Sequence, residues 1–97
     1  MPLYMSLLNW TDQGIKNVKD SPKRLDAVKK WIKELGGDLK SFYMLQGQHD
    51  LMWIVEMPND EALGKLLLKI GSAGNVRTTT MRAYPEEEYR KIIGGLP

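Results

Sequence analysis

Leu39-Lys40-Ser41-Phe42-Tyr43-Met44-Leu45 and Leu51-Met52-Trp53-Ile54-Val55-Glu56-Met57 are two short apolar runs, joined by Gln46-Gly47-Gln48-His49-Asp50. Both have strand length, and a glycine in so short a connection reads as a β-hairpin turn. The two strands are placed at Asp38–Leu45 and Asp50–Met57. Working outward, a helical pattern lies on each side. Upstream, Leu25, Val28, Ile32 and Leu35 recur at spacings that put them on one stripe of a helix. Ser21-Pro22 marks its start, since serine can cap free N–H groups and proline fits the first turn. Gly36-Gly37 marks its end. Downstream, Leu63, Leu66, Leu67 and Ile70 form a second stripe, with Asn59 or Asp60 as its cap.

Beyond the helices lie two further strands. Leu3–Trp10 is dense in apolar and aromatic residues and reads as a central strand. Val76–Ala83 carries three consecutive threonines, which suit a strand. Ile15–Val18 could make a single helical turn, and Gly71–Asn75 reads as a flexible loop. Pro85–Ile93 reads as a short C-terminal helix, with Glu86, Glu87 and Glu88 at the end where the helix dipole favours acids. The order is β-α-β-β-α-β with an added helix. It predicts an α+β sandwich of antiparallel strand order 4-1-3-2, with both main helices on one face.

The chain has 97 residues, a length for one domain over 1–97. Fourteen Lys and Arg against twelve Asp and Glu leave a formal charge of only +2, which argues against a nucleic-acid partner. There is no cysteine, which excludes thiolate catalysis, disulfides and thiolate metal sites. The acids show no repeated ligand spacing, so no metal and no cofactor is expected. The first residues lack a basic segment followed by an apolar run, and no stretch is long enough to span a bilayer. A cytoplasmic protein without a membrane partner is the expectation.

Alternation divides each strand between two faces. One set, Leu3, Met5, Leu7, Phe42, Met44, Leu51, Trp53, Val55, Thr79, Met81 and Ala83, is expected under the helices. The other set places Tyr4, Ser6, Leu8, Trp10, Ser41, Tyr43, Met52, Ile54, Glu56, Thr78, Thr80 and Arg82 on the open face. An open face with so many aromatic and aliphatic groups needs a cover, and a second copy of the chain is the simplest. Leu8, Trp10, Met52 and Ile54 are the expected interface.

Leu7-Leu8-Asn9-Trp10-Thr11-Asp12-Gln13-Gly14-Ile15-Lys16, Asp20-Ser21-Pro22-Lys23-Arg24, Gly47-Gln48-His49-Asp50 and Gly74-Asn75-Val76-Arg77-Thr78-Thr79-Thr80 resemble the GYD-domain proteins. The resemblance covers nearly the whole chain. It implies a ferredoxin-like domain that dimerises as an α/β barrel and can assemble further. It carries fold and assembly much further than activity. The region that gives the family its name departs here from a literal Gly-Tyr-Asp triplet. The hairpin also resembles that of other dimeric α/β barrels, among them ligand-sensing domains of bacterial regulators and small heme- or quinone-handling enzymes; shared scaffold does not fix function.

His49 is the single histidine and the side chain best suited to proton transfer near neutral pH, with Glu56 as the next candidate base. Each also has a plain structural reading, as a turn residue and as one half of an interchain ion pair with Arg82. Asp50 is expected to cap backbone at the hairpin. Arg77 and the Gly71–Asn75 loop could cradle an anion, although the loop lacks a phosphate-loop ending. A ligand enclosed between two copies would touch Tyr4, Ser6, Trp10, Tyr43, Thr78, Thr80 or Arg82. Hydroxyls and the guanidinium would fix its polar end, and the rings would cover an apolar or aromatic body. Three function classes follow: a small oligomeric ligand-binding or structural protein, an enzyme acting on a hydrophobic metabolite, and a regulatory module that binds another protein.

Overall fold

A computed structural model describes residues 1–97. The element order is β1 (Leu3–Trp10), α1 (Asp12–Lys16), a 3-10 turn (Val18–Asp20), α2 (Ser21–Glu34), β2 (Asp38–Met44), β3 (Leu51–Glu56), α3 (Asp60–Ser72), β4 (Val76–Ala83) and α4 (Glu86–Gly94). The four strands form one antiparallel sheet in the order β2-β3-β1-β4, as the sequence predicts. β1 is central. It pairs with β3 from Leu3↔Glu56 to Leu8↔Leu51, and with β4 from Leu3↔Ala83 to Trp10↔Val76.

Local chemistry sets the ends of the elements. Asn59 caps α3, its side-chain oxygen accepting from the Ala62 N–H at 2.8 Å. α2 stops where Gly36 takes a φ of +86°, a backbone region costly for other residues. Three local expectations are corrected. Ser21 does not cap α2, because the 3-10 turn leads straight into the helix and leaves Ser21 inside it. α1 starts at Asp12, before Ile15, because Thr11 caps it by accepting from Gly14 N–H. The helical hydrogen bonds of α3 carry on into the expected Gly71–Asn75 loop as far as Ser72.

α2 and α3 lie on the same side of the sheet. Val28 and Ile32 of α2 and Leu63, Leu66 and Ile70 of α3 join Leu51, Trp53 and Val55 of β3 in one buried cluster. Ile32, Val55 and Leu66 are fully buried, at 0% exposure. A β-bulge separates Leu39 from Ser41 on β2, so that Ser41 faces Ile54 and Phe42 faces Trp53. The extra residue, Lys40, restores the parity that turns Phe42 inward and Tyr43 outward.

The face assignment of β1 and β4 is the main correction. Tyr4, Ser6 and Leu8 are buried, at 3%, 0% and 2% exposure, and Tyr4 and Leu8 belong to the helix-side core. Leu3, Met5 and Leu7 occupy the open face, opposite Glu56, Ile54 and Met52. The register carries the same parity into β4, where Thr78, Thr80 and Arg82 lie opposite Leu8, Ser6 and Tyr4. The reason lies in β1, which is apolar on both sides. The buried hydroxyls are paired, Ser6 with Thr80 at 2.7 Å and Tyr4 with Asp60, so their burial leaves no orphan group.

Candidate functional site

Two regions of the sheet carry the residues singled out by sequence. The first is the end of the β2–β3 hairpin. Asp50 N–H donates to Leu8 O at 2.9 Å, and the Asp50 carboxylate accepts from Trp10 N–H at 2.9 Å. Asp50 therefore caps the end of β1, the role its position in the turn suggests. Asn9 Nδ2 donates to Gln48 O at 2.7 Å, which fixes the amide so that its oxygen meets His49 Nδ1 at 2.8 Å. An amide oxygen only accepts, so Nδ1 carries the proton. His49 is thus held by Asn9, and Asp50 is committed to backbone.

The second region is the open face. Met5, Leu7, Met52 and Ile54 occupy its centre on β1 and β3, with Tyr43 on β2 and Met81 on β4 at the flanks. Tyr43 and Met81 are 59% and 41% exposed. Glu56 stands at one corner, 3.8 Å from Lys40, which in turn lies 3.2 Å from Asp38; Lys33 adds a bond of 2.7 Å to Asp38. Hydrogen bonds from Lys33 and Lys40 lower the Asp38 pKa from the usual carboxylate value. The bond to Asp38, then Glu56, raises that of Lys40.

The proposed ligand contacts are divided by the sheet. Tyr43 and Glu56 remain on the open face, whereas Tyr4, Ser6, Trp10, Thr78, Thr80 and Arg82 belong by register to the helix side. Glu56 and Arg82 therefore do not share a face, and within the chain Glu56 meets Lys40 and Arg82 meets Glu88 at 4.0 Å. Arg82 also lies over the rings of Tyr4 and Tyr84 and donates to Leu3 O at 3.1 Å. Burial, and then the hydrogen bond to Asp60, push the Tyr4 phenol above its ordinary pKa of 10.0. Trp10 lines a cavity beneath α2.

A third cluster escaped the residue-by-residue reading. Thr11 N–H donates to Asn75 O at 3.0 Å and Thr11 Oγ1 to Gly74 O at 2.6 Å. Gln13 Nε2 reaches Asn75 Oδ1 at 2.9 Å. Arg24 donates to Gly14 O and Asn17 O, at 3.2 and 3.1 Å. The signal was present in the sequence: the Thr11-Asp12-Gln13-Gly14 and Gly74-Asn75 blocks are polar and turn-rich, and they flank strands that prove to be neighbours.

A four-stranded antiparallel sheet with two helices on one side and an apolar open face defines a ferredoxin-like α+β domain. The chain belongs to the GYD domain family, whose model matches residues 4–93. It is 27% identical over 86 residues to the glutamine synthetase and cystathionine beta-lyase binding protein of Thermus thermophilus, covering 88% of this chain and 90% of that one. Among solved structures it is similar to the feast or famine regulatory protein from M. tuberculosis complexed with L-methionine, at a TM-score of 0.66, 21% identity and 88% of this chain. The chain spans about half of that regulator, 51% of its length. FFRP-DM1 is matched over its whole length, at a TM-score of 0.61, 22% identity and 87% of this chain. At such identities the solved structures speak for the fold alone. No helix of the chain is long and apolar enough to cross a membrane.

Proposed function

We propose that the chain is a self-associating regulatory binding module in which two copies pair through the open faces of their sheets. One observation carries this reading: Met5, Leu7, Met52 and Ile54 sit side by side on the two central strands, with no helix of their own chain above them. Four strands about 4.8 Å apart, each some six residues long, present roughly 400 Å² in projection. A mostly apolar patch of about that size is often a functional contact surface. The Glu56–Lys40–Asp38 chain of charges at its corner supplies a polar rim. Tyr43 and Glu56 would border any space left between the paired sheets, and a small effector with an apolar body fits such walls.

The test is the mass of the chain in solution beside that of Ile54→Lys. A lysine there would put an unpaired charge into the contact. The native chain is expected to sediment as a dimer or larger at micromolar concentration, and the variant as a folded monomer with unchanged circular dichroism. A native monomer, or a variant that assembles like the native chain, would sink the reading.

A second reading has its own observation. α4 buries none of its residues, and Tyr89, Ile92 and Ile93 are about half exposed, at 55%, 51% and 51%. Their spacing places them on one side of the helix. Such a stripe suits a groove on another protein, and the Thermus relative is named for binding two enzymes. In this reading the paired module regulates an enzyme by docking α4 on it.

A further inference from the structure

β4 ends the sheet, and its outer edge has no strand beside it. Its pairing with β1 runs without a bulge from Trp10↔Val76 to Leu3↔Ala83. Parity decides which of its backbone groups face outward. Thr11 N–H donates to Asn75 O at 3.0 Å, one step beyond Trp10↔Val76. On the other flank of β1, Met57 N–H donates to Pro2 O at 3.1 Å, so the even-numbered residues of β1 bond to β3. Bonded and non-bonded pairs alternate along an antiparallel ladder. Arg77, Thr79 and Met81 therefore turn their N–H and C=O toward β1, and Val76, Thr78, Thr80 and Arg82 turn theirs outward. α4 follows this strand, yet none of its residues is buried. The opposite edge differs. β2 carries a bulge at Lys40, and that lysine holds Asp38 and Glu56. Bulges and lysines are the devices that keep an edge from pairing. β4 has no bulge, no lysine and no proline.

We infer that the β4 edge is an interaction surface for a second copy of the chain, the two strands pairing antiparallel about a two-fold axis at Thr79 and joining two sheets into one. This register sets Thr79 opposite the partner's Thr79, Thr78 opposite the partner's Thr80, and Val76 opposite the partner's Arg82. It overlaps nearly the whole of β4 and uses all four outward residues. Threonines suit a strand, and cross-strand threonine pairs hydrogen-bond to one another. Charge permits the contact. Arg77 and Arg82 lie an odd number of residues apart, so no two-fold register sets one opposite the other; Arg77 meets the partner's Met81. Arg82 is also engaged within its own chain, over Tyr4 and Tyr84 and beside Glu88. The inference rests on the open-face pairing for its strength. One open face presents roughly 400 Å² in projection, against about 800 Å² per partner in a standard stable interface. Sheets joined at β4 present twice that face to an opposing joined pair. A lone edge contact falls well below the standard area, so the edge and face contacts hold together, as two isologous interfaces of one symmetric assembly.

The chain has no cysteine, so single cysteines report the register. Thr79 and its mate form a non-bonded pair, with Cα atoms about 4.5 Å apart, inside the range a disulfide spans. The two copies of Val76 lie six positions apart along the paired strands, about 20 Å, far outside it. Oxidised with diamide, Thr79→Cys is expected to cross-link into covalent dimers, and Val76→Cys to remain as single chains. Thr78→Pro removes one outward N–H and no bond of its own sheet. By sedimentation the native chain is expected as a tetramer and Thr78→Pro as a dimer with unchanged circular dichroism; the cross-link is expected to vanish when Thr78→Pro is added to Thr79→Cys. Failure of Thr79→Cys to cross-link overturns the inference, as does equal cross-linking by Val76→Cys or a Thr78→Pro chain that remains a tetramer. A native dimer that Ile54→Lys dissociates, with no Thr79→Cys bridge, overturns the edge contact and keeps the open-face pairing. A native dimer that Ile54→Lys leaves whole and Thr79→Cys bridges does the reverse.

Discussion

Gly14 shows how closely two distant segments approach. A Cβ built on it would lie 1.9 Å from Asn75 O, so only glycine lets α1 lie against the start of β4. Gly14→Ala must separate them and break the Thr11–Asn75 bond. It is expected to lower stability by about 3 kcal/mol, at the upper end for overpacking, read as a reduced urea midpoint; an unchanged midpoint would show that α1 parts freely from β4. Tyr4 gives a pH signature. Its phenol titrates above 10.0 in the folded chain because of burial and the bond to Asp60. As pH rises past 10 the unfolded phenol ionises first. The folded state then binds more protons, so stability is full below that value and falls above it. Tyr4→Phe is expected to cost about 1 kcal/mol at neutral pH and to flatten this alkaline loss. Unfolding free energies from pH 8 to 11 for both proteins check it, and parallel curves would remove Tyr4 as the source.

Among the α-helices, α4 is the one without a buried residue. Replacing Ile92 and Ile93 together by Glu is therefore expected to leave protomer stability within about 0.5 kcal/mol, as for surface changes. If α4 docks on a partner enzyme as proposed, the native chain is expected to bind purified glutamine synthetase, one of the enzymes in the Thermus relative's name, by interferometry, and the double variant to lose that binding. Absence of native binding would discard that partner. The other elements explain what the sequence made legible. Helix stripes such as Leu25-Val28-Ile32 have a period that only one face satisfies, and the hairpin has its glycine. β1 offered no such contrast. Tyr4-Ser6-Leu8 and Leu3-Met5-Leu7 are both apolar enough to be covered, and the less polar set proved to face outward. Because β4 pairs in register with β1, one parity error moved Thr78, Thr80 and Arg82 to the wrong side together. That is why the candidate site was less legible than the fold. The role of Asp50 was readable because a capping carboxylate acts locally.

At the scale of the whole molecule, the radius of gyration is 14.6 Å and the long axis 51 Å. A rounded domain of this length would have a radius of about 12.5 Å; the excess reflects α4 standing off the sheet and core. A slab 18 Å thick in its shortest dimension, with its two main helices on one side of the sheet, is half of the four-layer helix–sheet–sheet–helix arrangement that the proposed pairing of open faces would complete. The strand order has a consequence for how the chain reaches this state. Its first strand sits in the middle of the sheet, and one flank of that strand stays empty until the last strand has been made, since Leu3 pairs with Ala83. During synthesis the ribosome thus releases an apolar segment long before its second neighbour exists. Contacts spanning so much of the chain slow folding. The interval in which β1 shows an unpaired edge is one in which wrong copies can add to it. In a crowded cell, completion of β4 is the event that ends that exposure.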